Sequence, residues 1–356
     1  MALQFAVNRG GVRVVFGRGA QAGLGAELAA LGLGRVLVLC SPTRQPEALA
    51  LSASLGPRRV GVCALAREHV PRQDADAAAQ AASAAGADGV LAVGGGSAIG
   101  LAKAVALALP MRVAALPTTY AGSEMTSIFG VSEDGVKRTG RDERARPVLV
   151  VYDPELTLAL PVATSVVSAL NAVAHAVEAL YASGIDPATQ WMAEESLRCL
   201  APAIAGICRA PREPDARERA LYGAHLAGSA LGAVGMGLHH RICHVLGGSF
   251  GLPHAQTHAA LLPHVVAFNA AAAPDAVARA ARAIGAASAA QGLFELARRS
   301  GAPTDLRSLG LRETDLDAAA QRVAEHPGPN PRAASAADVR AILQRALDGT
   351  PDFDQR

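Results

Sequence analysis

Over residues 12–116, short apolar runs alternate with segments of helical spacing, and beyond Pro161 no strand-like run returns. That change of pattern limits the chain to an α/β half followed by an all-helical half. In the first half, residues 12–16, 36–39, 60–65, 89–93 and 148–152 read as strands, separated by helices over 24–31, 47–54 and 74–85. Val36-Leu37-Val38-Leu39 is apolar at every position, as a strand buried on both faces of a parallel sheet requires. Strand–helix alternation of this kind argues a right-handed, mostly parallel, Rossmann-like sheet. Residues 129–137 read as a hairpin turning at Asp134-Gly135. In the second half, residues 163–182, 187–209, 214–235, 240–249, 257–285, 288–299, 314–325 and 336–348 carry i, i+3, i+4 apolar spacing. The expected division is an α/β domain over 1–158 and a helical domain over 159–356, and the cleft between two such domains is where an enzyme would put its active site.

A chain of 356 residues, 51% apolar, can bury two sizeable cores. With only 3% aromatic residues, Leu, Val and Ala do the filling. A balance of 33 bases and 31 acids gives no electrostatic reason to expect nucleic acid. Cys40, Cys63, Cys199, Cys208 and Cys243 are scattered without a CxxC pair, and read as buried free thiols in a reducing compartment. No leader pattern is visible, and no uncharged stretch has the length and flanks of a membrane span, so the expected setting is cytoplasmic.

Leu91-Ala92-Val93 runs into Gly94-Gly95-Gly96-Ser97 and then into a helix. A buried strand feeding glycines lets the backbone approach a pyrophosphate, which the amides and dipole of the helix then bind. Ser97 stands where an N-cap hydroxyl is expected. Glycine turns after strands are common, so the motif gains weight from Pro117-Thr118-Thr119 ending the next strand. Downstream, Asn171 and His175 are four apart on one helix face, His240 and His244 repeat that spacing, and His254 follows ten residues later. Single histidines on apolar faces are usually core residues, the reading given to His69, His225, His258, His264 and His326. His239 neighbours His240 but points about 100° away around a helix.

The loop Pro117-Thr118-Thr119-Tyr120-Ala121-Gly122-Ser123-Glu124-Met125-Thr126 is the first of the motifs that carry a family resemblance. The others are Gly94-Gly95-Gly96-Ser97, Tyr152-Asp153-Pro154-Glu155-Leu156, Asn171-Ala172-Val173-Ala174-His175-Ala176-Val177-Glu178 and Gly237-Leu238-His239-His240. Together they resemble the iron-containing alcohol dehydrogenase superfamily, with its dehydroquinate synthase-like fold, and within it the maleylacetate reductases. The resemblance spans nearly the whole chain and implies NADH or NADPH held by Gly94, Gly95, Gly96, Ser97, Thr118 and Thr119. Ser41 stands where NAD-selective relatives place an acid on the adenosine ribose, with Arg44 close by, which leaves cofactor preference open. Gly100 replaces an acid found in many relatives and matches the maleylacetate reductases.

In the iron-dependent relatives a metal sits on an Asp and three histidines, positions that fall here on Asn171, His175, His240 and His254. The anionic ligand is an amide in this chain, so no metal is expected. The resemblance implies reduction of the maleylacetate carbon–carbon double bond to 3-oxoadipate in aromatic-compound degradation, by a homodimer. His175, His240, His244 and His254 are then the catalytic residues, with Tyr120, Ser123, Thr126, Asn171, Lys137 and Arg241 as candidates for the dicarboxylate. The rivals are a metal-dependent alcohol dehydrogenase with Asn171 as a weak ligand, a lyase of the same fold, and a non-catalytic binding protein.

Overall fold

The structure is a computed structural model that describes residues 2–133, 136–350 and 353. The chain divides into two compact units, Met1–Leu160 and Pro161–Arg356.

The first unit contains β1 (Phe5–Arg9), β2 (Val12–Phe16), α1 (Leu24–Ala30), β3 (Val36–Leu39), α2 (Gln45–Leu51), β4 (Arg59–Cys63) and α3 (Arg72–Ala84). It continues with β5 (Gly89–Gly94), α4 (Gly96–Ala108), β6 (Arg112–Pro117), β7 (Ile128–Glu133), β8 (Val136–Arg141) and β9 (Leu149–Tyr152). Seven strands form one sheet in the order β1-β2-β9-β6-β5-β3-β4. Every pairing in it is parallel except β1 with β2. Val36, Val38, Leu91, Val93, Ala114, Leu116, Leu149 and Val151 pack with Leu24, Leu28 and Ala48 of the flanking helices. The alternate residues Leu37, Leu39, Val90, Ala92, Val113, Ala115 and Val150 are buried as well, which is why these strands read as unbroken apolar runs.

β1 is the strand that the sequence pattern does not reveal. It is an exposed edge with no apolar run, closed onto β2 by Gly10 and Gly11 at φ 55° and 80°. Positive φ at both central residues is what a two-residue type I′ hairpin needs. The second hairpin forms as expected from β7 and β8. Its Asp134-Gly135 turn lies outside the described residues.

The second unit is helical throughout its described residues. It contains α5 (Val162–Leu180), α6 (Pro187–Arg209), α7 (Pro214–Val234), α8 (Leu238–Phe250), α9 (His254–Asn269), α10 (Pro274–Ile284), α11 (Ala289–Arg299), α12 (Leu316–Ala324) and α13 (Ala336–Asp348). The single helix expected over 257–285 is two. Ala273, with Pro274 after it, sits at φ −136° and ends the run, because a residue before proline is driven out of the helical region. α5 is, by length and composition, apolar enough to cross a membrane, contrary to the expectation from sequence. It is a core helix instead, with 83% of its apolar window buried inside the chain.

Candidate active site

In the first unit the glycine loop joins β5 to α4. Gly94 lies at φ 144°, and Gly95 is the N-cap of α4. A Cβ on Gly95 would come within 2.8 Å of the Thr119 side chain, so only glycine lets the loop pass the end of β6. Ile99 is the first residue of the turn whose amide bonds back, to the Gly95 carbonyl, and the amides of Gly96, Ser97 and Ala98 lie ahead of that bond. Ser97 is therefore inside the first turn and is not the N-cap expected from sequence. β5 is flanked by β6 and β3, so the loop lies between Thr118, whose amide bonds the Gly94 carbonyl, and the Ser41–Arg44 turn. β3 connects toward one edge of the sheet and β5 toward the other, which makes the β3/β5 boundary the switch point where such sheets bind ligands. These features fit a dinucleotide's diphosphate. Gly100 has a structural reason too: a Cβ there would meet Val70 Cγ2 at 2.7 Å. Val70 itself is held at φ 50°, costly for a β-branched residue.

The Thr118–Thr126 loop is pinned from beneath. Lys103 of α4, 1% exposed, donates to the Ser123 carbonyl at 2.7 Å, Thr126 Oγ1 at 3.1 Å and the Ile128 carbonyl at 2.7 Å. Burial pushes its ammonium down to about 7, with Glu124 opposing that shift and Arg146 adding to it. Glu124 is fully buried, accepts from the Tyr152 hydroxyl at 2.8 Å, and has its carboxyl raised by burial. Two sequence candidates change role here. Thr126 is spent on Lys103 and the loop backbone, and Tyr120 is 0% exposed. Ser123 remains half-buried on the loop.

In the second unit three helices turn imidazoles toward one another. On α5, Asn171, His175 and Glu178 form one stripe at i, i+4 and i+7. α8 ends at Gly251, φ 71°, and Pro253 precedes α9, so three residues reverse the chain and bring His244 and His254 to 6.0 Å between ring centres. His175 stacks on His240 at 5.0 Å. All four histidines nominated from sequence are therefore in one cluster, and its centre is a fifth. His258 lies 4.8 Å from His240, 4.5 Å from His254 and 6.5 Å from His175. It is fully buried and hydrogen-bonded to His239, as its reading as a core residue expects, and it packs on the cluster's rings besides. Its place in the cluster had a signal: His254 and His258 are four apart, the same spacing that singled out His240 and His244.

Glu178 is the other residue missed. Its carboxylate accepts the His239 amide at 2.9 Å and a very short hydrogen bond from His240 Nδ1. Gly237 makes room for it, since a Cβ there would stand 3.0 Å from Glu178 Oε1. Burial works to raise this carboxyl, but the His240 charge and hydrogen bond, His239 and the Gly237 amide outweigh it and hold it below the usual range. An ionised Glu178 fixes the proton on His240 Nδ1 and turns Nε2 into the working atom. That Nε2 is buried, with no hydrogen-bond partner among the described residues. Asn171 Oδ1 is buried and equally without one. Arg241 donates from Nη2 to the Arg322 carbonyl at 3.0 Å and so ties α8 to the end of α12, while its Nε is buried without a hydrogen-bond partner among the described residues.

His239 Nε2 and His258 Nδ1 share a 2.9 Å hydrogen bond, with Cys243 Sγ 3.7 Å from the former. Burial, then the neighbouring His240, pulls His239 down to about 3, and burial and four histidines hold His258 well below its ordinary 6.5. Both are neutral near pH 7, and in the unfolded chain both take up protons below about 6.5. The folded state therefore loses stability as pH falls through that value, the loss growing until about pH 3. The expected result is a melting temperature that drops between about pH 6.5 and 5, more shallowly in His258→Asn, measured by calorimetry. Equal slopes in the two proteins contradict the assignment.

The iron-containing alcohol dehydrogenase model matches residues 11–154, and the Fe-containing alcohol dehydrogenase family, C-terminal model matches 165–347. The chain belongs to the iron-containing alcohol dehydrogenase family. It is accordingly an oxidoreductase. Among family members, the maleylacetate reductase of Burkholderia cepacia is 49% identical, over 95% of this chain and 96% of its own. That of Sphingobium indicum is 46% identical, over 98% and 99%. The crystal structure of maleylacetate reductase from Agrobacterium tumefaciens superposes with a TM-score of 0.90 at 46% identity, covering 98% and 99% of the two chains.

The family's iron can be tested against these residues. Asn171, His175, His240 and His254 offer one amide and three imidazoles, with no anion among them. The nearby carboxylate, Glu178, is turned onto His240 Nδ1 and the His239 amide. Three imidazoles and an amide keep the nitrogen donors of that site and lack the carboxylate that balances a divalent ion's charge in the iron-dependent members.

Proposed function

We propose that this oxidoreductase reduces the carbon–carbon double bond of maleylacetate to give 3-oxoadipate, using NADH or NADPH and no metal. The observation that carries the reading is the Glu178–His240 pair inside a cluster of imidazoles in which Asn171 stands at the position of the family's acidic metal ligand. When bound, the nicotinamide supplies hydride to the alkene carbon β to the ketone. Negative charge then moves onto the ketone oxygen, and the α carbon needs a proton. His240 Nε2 donates that proton, and Glu178 behind the ring stabilises the imidazolium before transfer. His175, His244 and His254 supply further donors for the enolate oxygen, preorganised by packing. Asn171, whose Oδ1 has no partner among the described residues and whose amide can be flipped to present its NH2, is the candidate to hold a substrate carboxylate. The relatives named maleylacetate reductase at 46–49% identity over nearly the full chain support this substrate. The reading carries a place in the degradation of hydroxylated or chlorinated aromatics, a homodimer, and a reducing cytoplasm suited to five free cysteines.

The test is NADH oxidation with maleylacetate by protein dialysed against a strong chelator. Turnover is expected to survive at the undialysed rate, with far less than one metal per chain by elemental analysis. Activity lost on chelation and restored only by Fe or Zn points to the metal-dependent alcohol dehydrogenase reading.

A further inference from the structure

The turn after β3 holds a charge arrangement that bears on which dinucleotide binds. Ser41, at the N-cap of a short 3-10 turn, offers a hydroxyl 3.3 Å from Thr43 Oγ1, and no acid stands at 41–43. Arg44 follows. Its Nε pairs with Glu47 Oε2 at 2.9 Å, while Nη2 reaches Thr118 Oγ1 at 3.5 Å. Thr118 follows β6, and β5 lies between β6 and β3, so the guanidinium is stretched across the β3/β5 switch point. Both side chains of the pair are about one-third exposed, at 32% and 33%. The Thr118 contact is at the limit of a hydrogen bond and is easily given up.

We infer that Arg44 is the ligand for the 2′-phosphate of NADPH, and that Glu47 sets the NADH-to-NADPH ratio by competing for it. This rests on the nicotinamide reading of the same unit. The side of the switch point next to β3 is where a doubly wound sheet receives the adenosine ribose. An acid there would bond the free 2′-hydroxyl and repel a phosphate; Ser41 can hydrogen-bond either group and repels neither. Guanidinium suits a phosphate because its fork of N–H donors matches two oxygens at once. With Glu47 attached, Arg44 is neutralised and oriented but not buried, so a phosphate dianion can displace the carboxylate. The arrangement therefore accepts both dinucleotides, and one carboxylate tunes the balance.

Equilibrium binding to the purified full chain tests this without turnover. Dissociation constants for NADH, NADPH, 5′-AMP and 2′,5′-ADP are measured by calorimetry for the native chain, Arg44→Ala and Glu47→Gln. Arg44→Ala is expected to weaken NADPH and 2′,5′-ADP about tenfold, the scale of one charge-assisted hydrogen bond, while NADH and 5′-AMP stay within about twofold. Glu47→Gln should tighten NADPH and 2′,5′-ADP about threefold and leave NADH unchanged, the size of an exposed ion pair. Equal weakening of all four ligands by Arg44→Ala would assign the guanidinium to the 5′-phosphates and overturn the inference. No change for any ligand reduces Arg44–Glu47 to a surface ion pair, with the same consequence. If the native chain binds none of the four, the nicotinamide reading itself fails.

Discussion

His240→Ala is expected to lower kcat for maleylacetate by about a hundredfold or more, the scale of losing a general acid. Glu178→Gln should lower it by at least about tenfold while leaving the dissociation constant for NADH unchanged, because the carboxylate acts through His240 and touches no ligand. Glutamine keeps the volume and can still accept from Nδ1 and the His239 amide, so the loss measures the carboxylate's charge. Glu178→Asp, which restores the charge one methylene short, should recover part of kcat. His244→Ala removes a half-buried ring 6.2 Å from His240 and is expected to cost about a hundredfold as well. His326→Ala is the control: the residue is exposed, just before the Pro327–Pro331 loop, and should keep native kinetics. Steady-state kinetics on the five proteins decide the matter. Similar small effects at 178, 240, 244 and 326 mean that the cluster is not where reduction occurs.

How much of this was readable in advance depends on whether a residue's role is local. Buried parallel strands announce themselves, since both faces must be apolar, and the glycine loop does so because Gly95 has a neighbour, Thr119, that forbids a side chain. The edge strand β1 is silent, because an exposed strand paired on one side needs no apolar pattern. Polar residues in the Thr118–Thr126 loop resembled substrate ligands, yet Thr126 satisfies an internal demand. That demand had a sign: Lys103 lies within an apolar helix and must find acceptors once buried. The contact of Arg241 with the Arg322 carbonyl, eighty-one residues away, has no counterpart in its sequence surroundings. Glu178 and His258 were within reach of the same-face argument already applied to Asn171 and His175. Glu178 is three residues beyond His175, and His258 four beyond His254. What spacing alone does not supply is direction. Only the folded chain shows Glu178 backing His240, while Asn171 Oδ1 and His240 Nε2 are left without partners among the described residues.

The same feature sets the largest expected contrast, between an enone and a simple alcohol or aldehyde. Reducing an isolated carbonyl concentrates charge on one oxygen, and the iron-dependent members meet that charge with a Lewis acid. Asn171 withdraws the anion that would hold such an ion, and Glu178 is committed to His240. Neutral imidazoles are weaker electrophiles, and His239 and His258 are kept neutral by burial, so the cluster stabilises concentrated charge poorly. A conjugated ketone asks less of it. Hydride enters at carbon, the charge spreads over an enolate, and one protonated imidazole completes the reaction at the α carbon. The expected ratio of kcat/KM for maleylacetate over ethanol, butanol or lactaldehyde is at least about 10³, or about 4 kcal/mol of transition-state stabilisation. Steady-state assays with NADH and with NADPH measure it directly. Asn171→Asp should shift the balance the other way: with Fe(II) added it restores an anionic ligand, so metal binding appears by calorimetry and maleylacetate turnover falls. Alcohol turnover equal to that of maleylacetate in the native, chelator-treated chain is the result that removes the imidazole cluster as the reason for the choice of substrate.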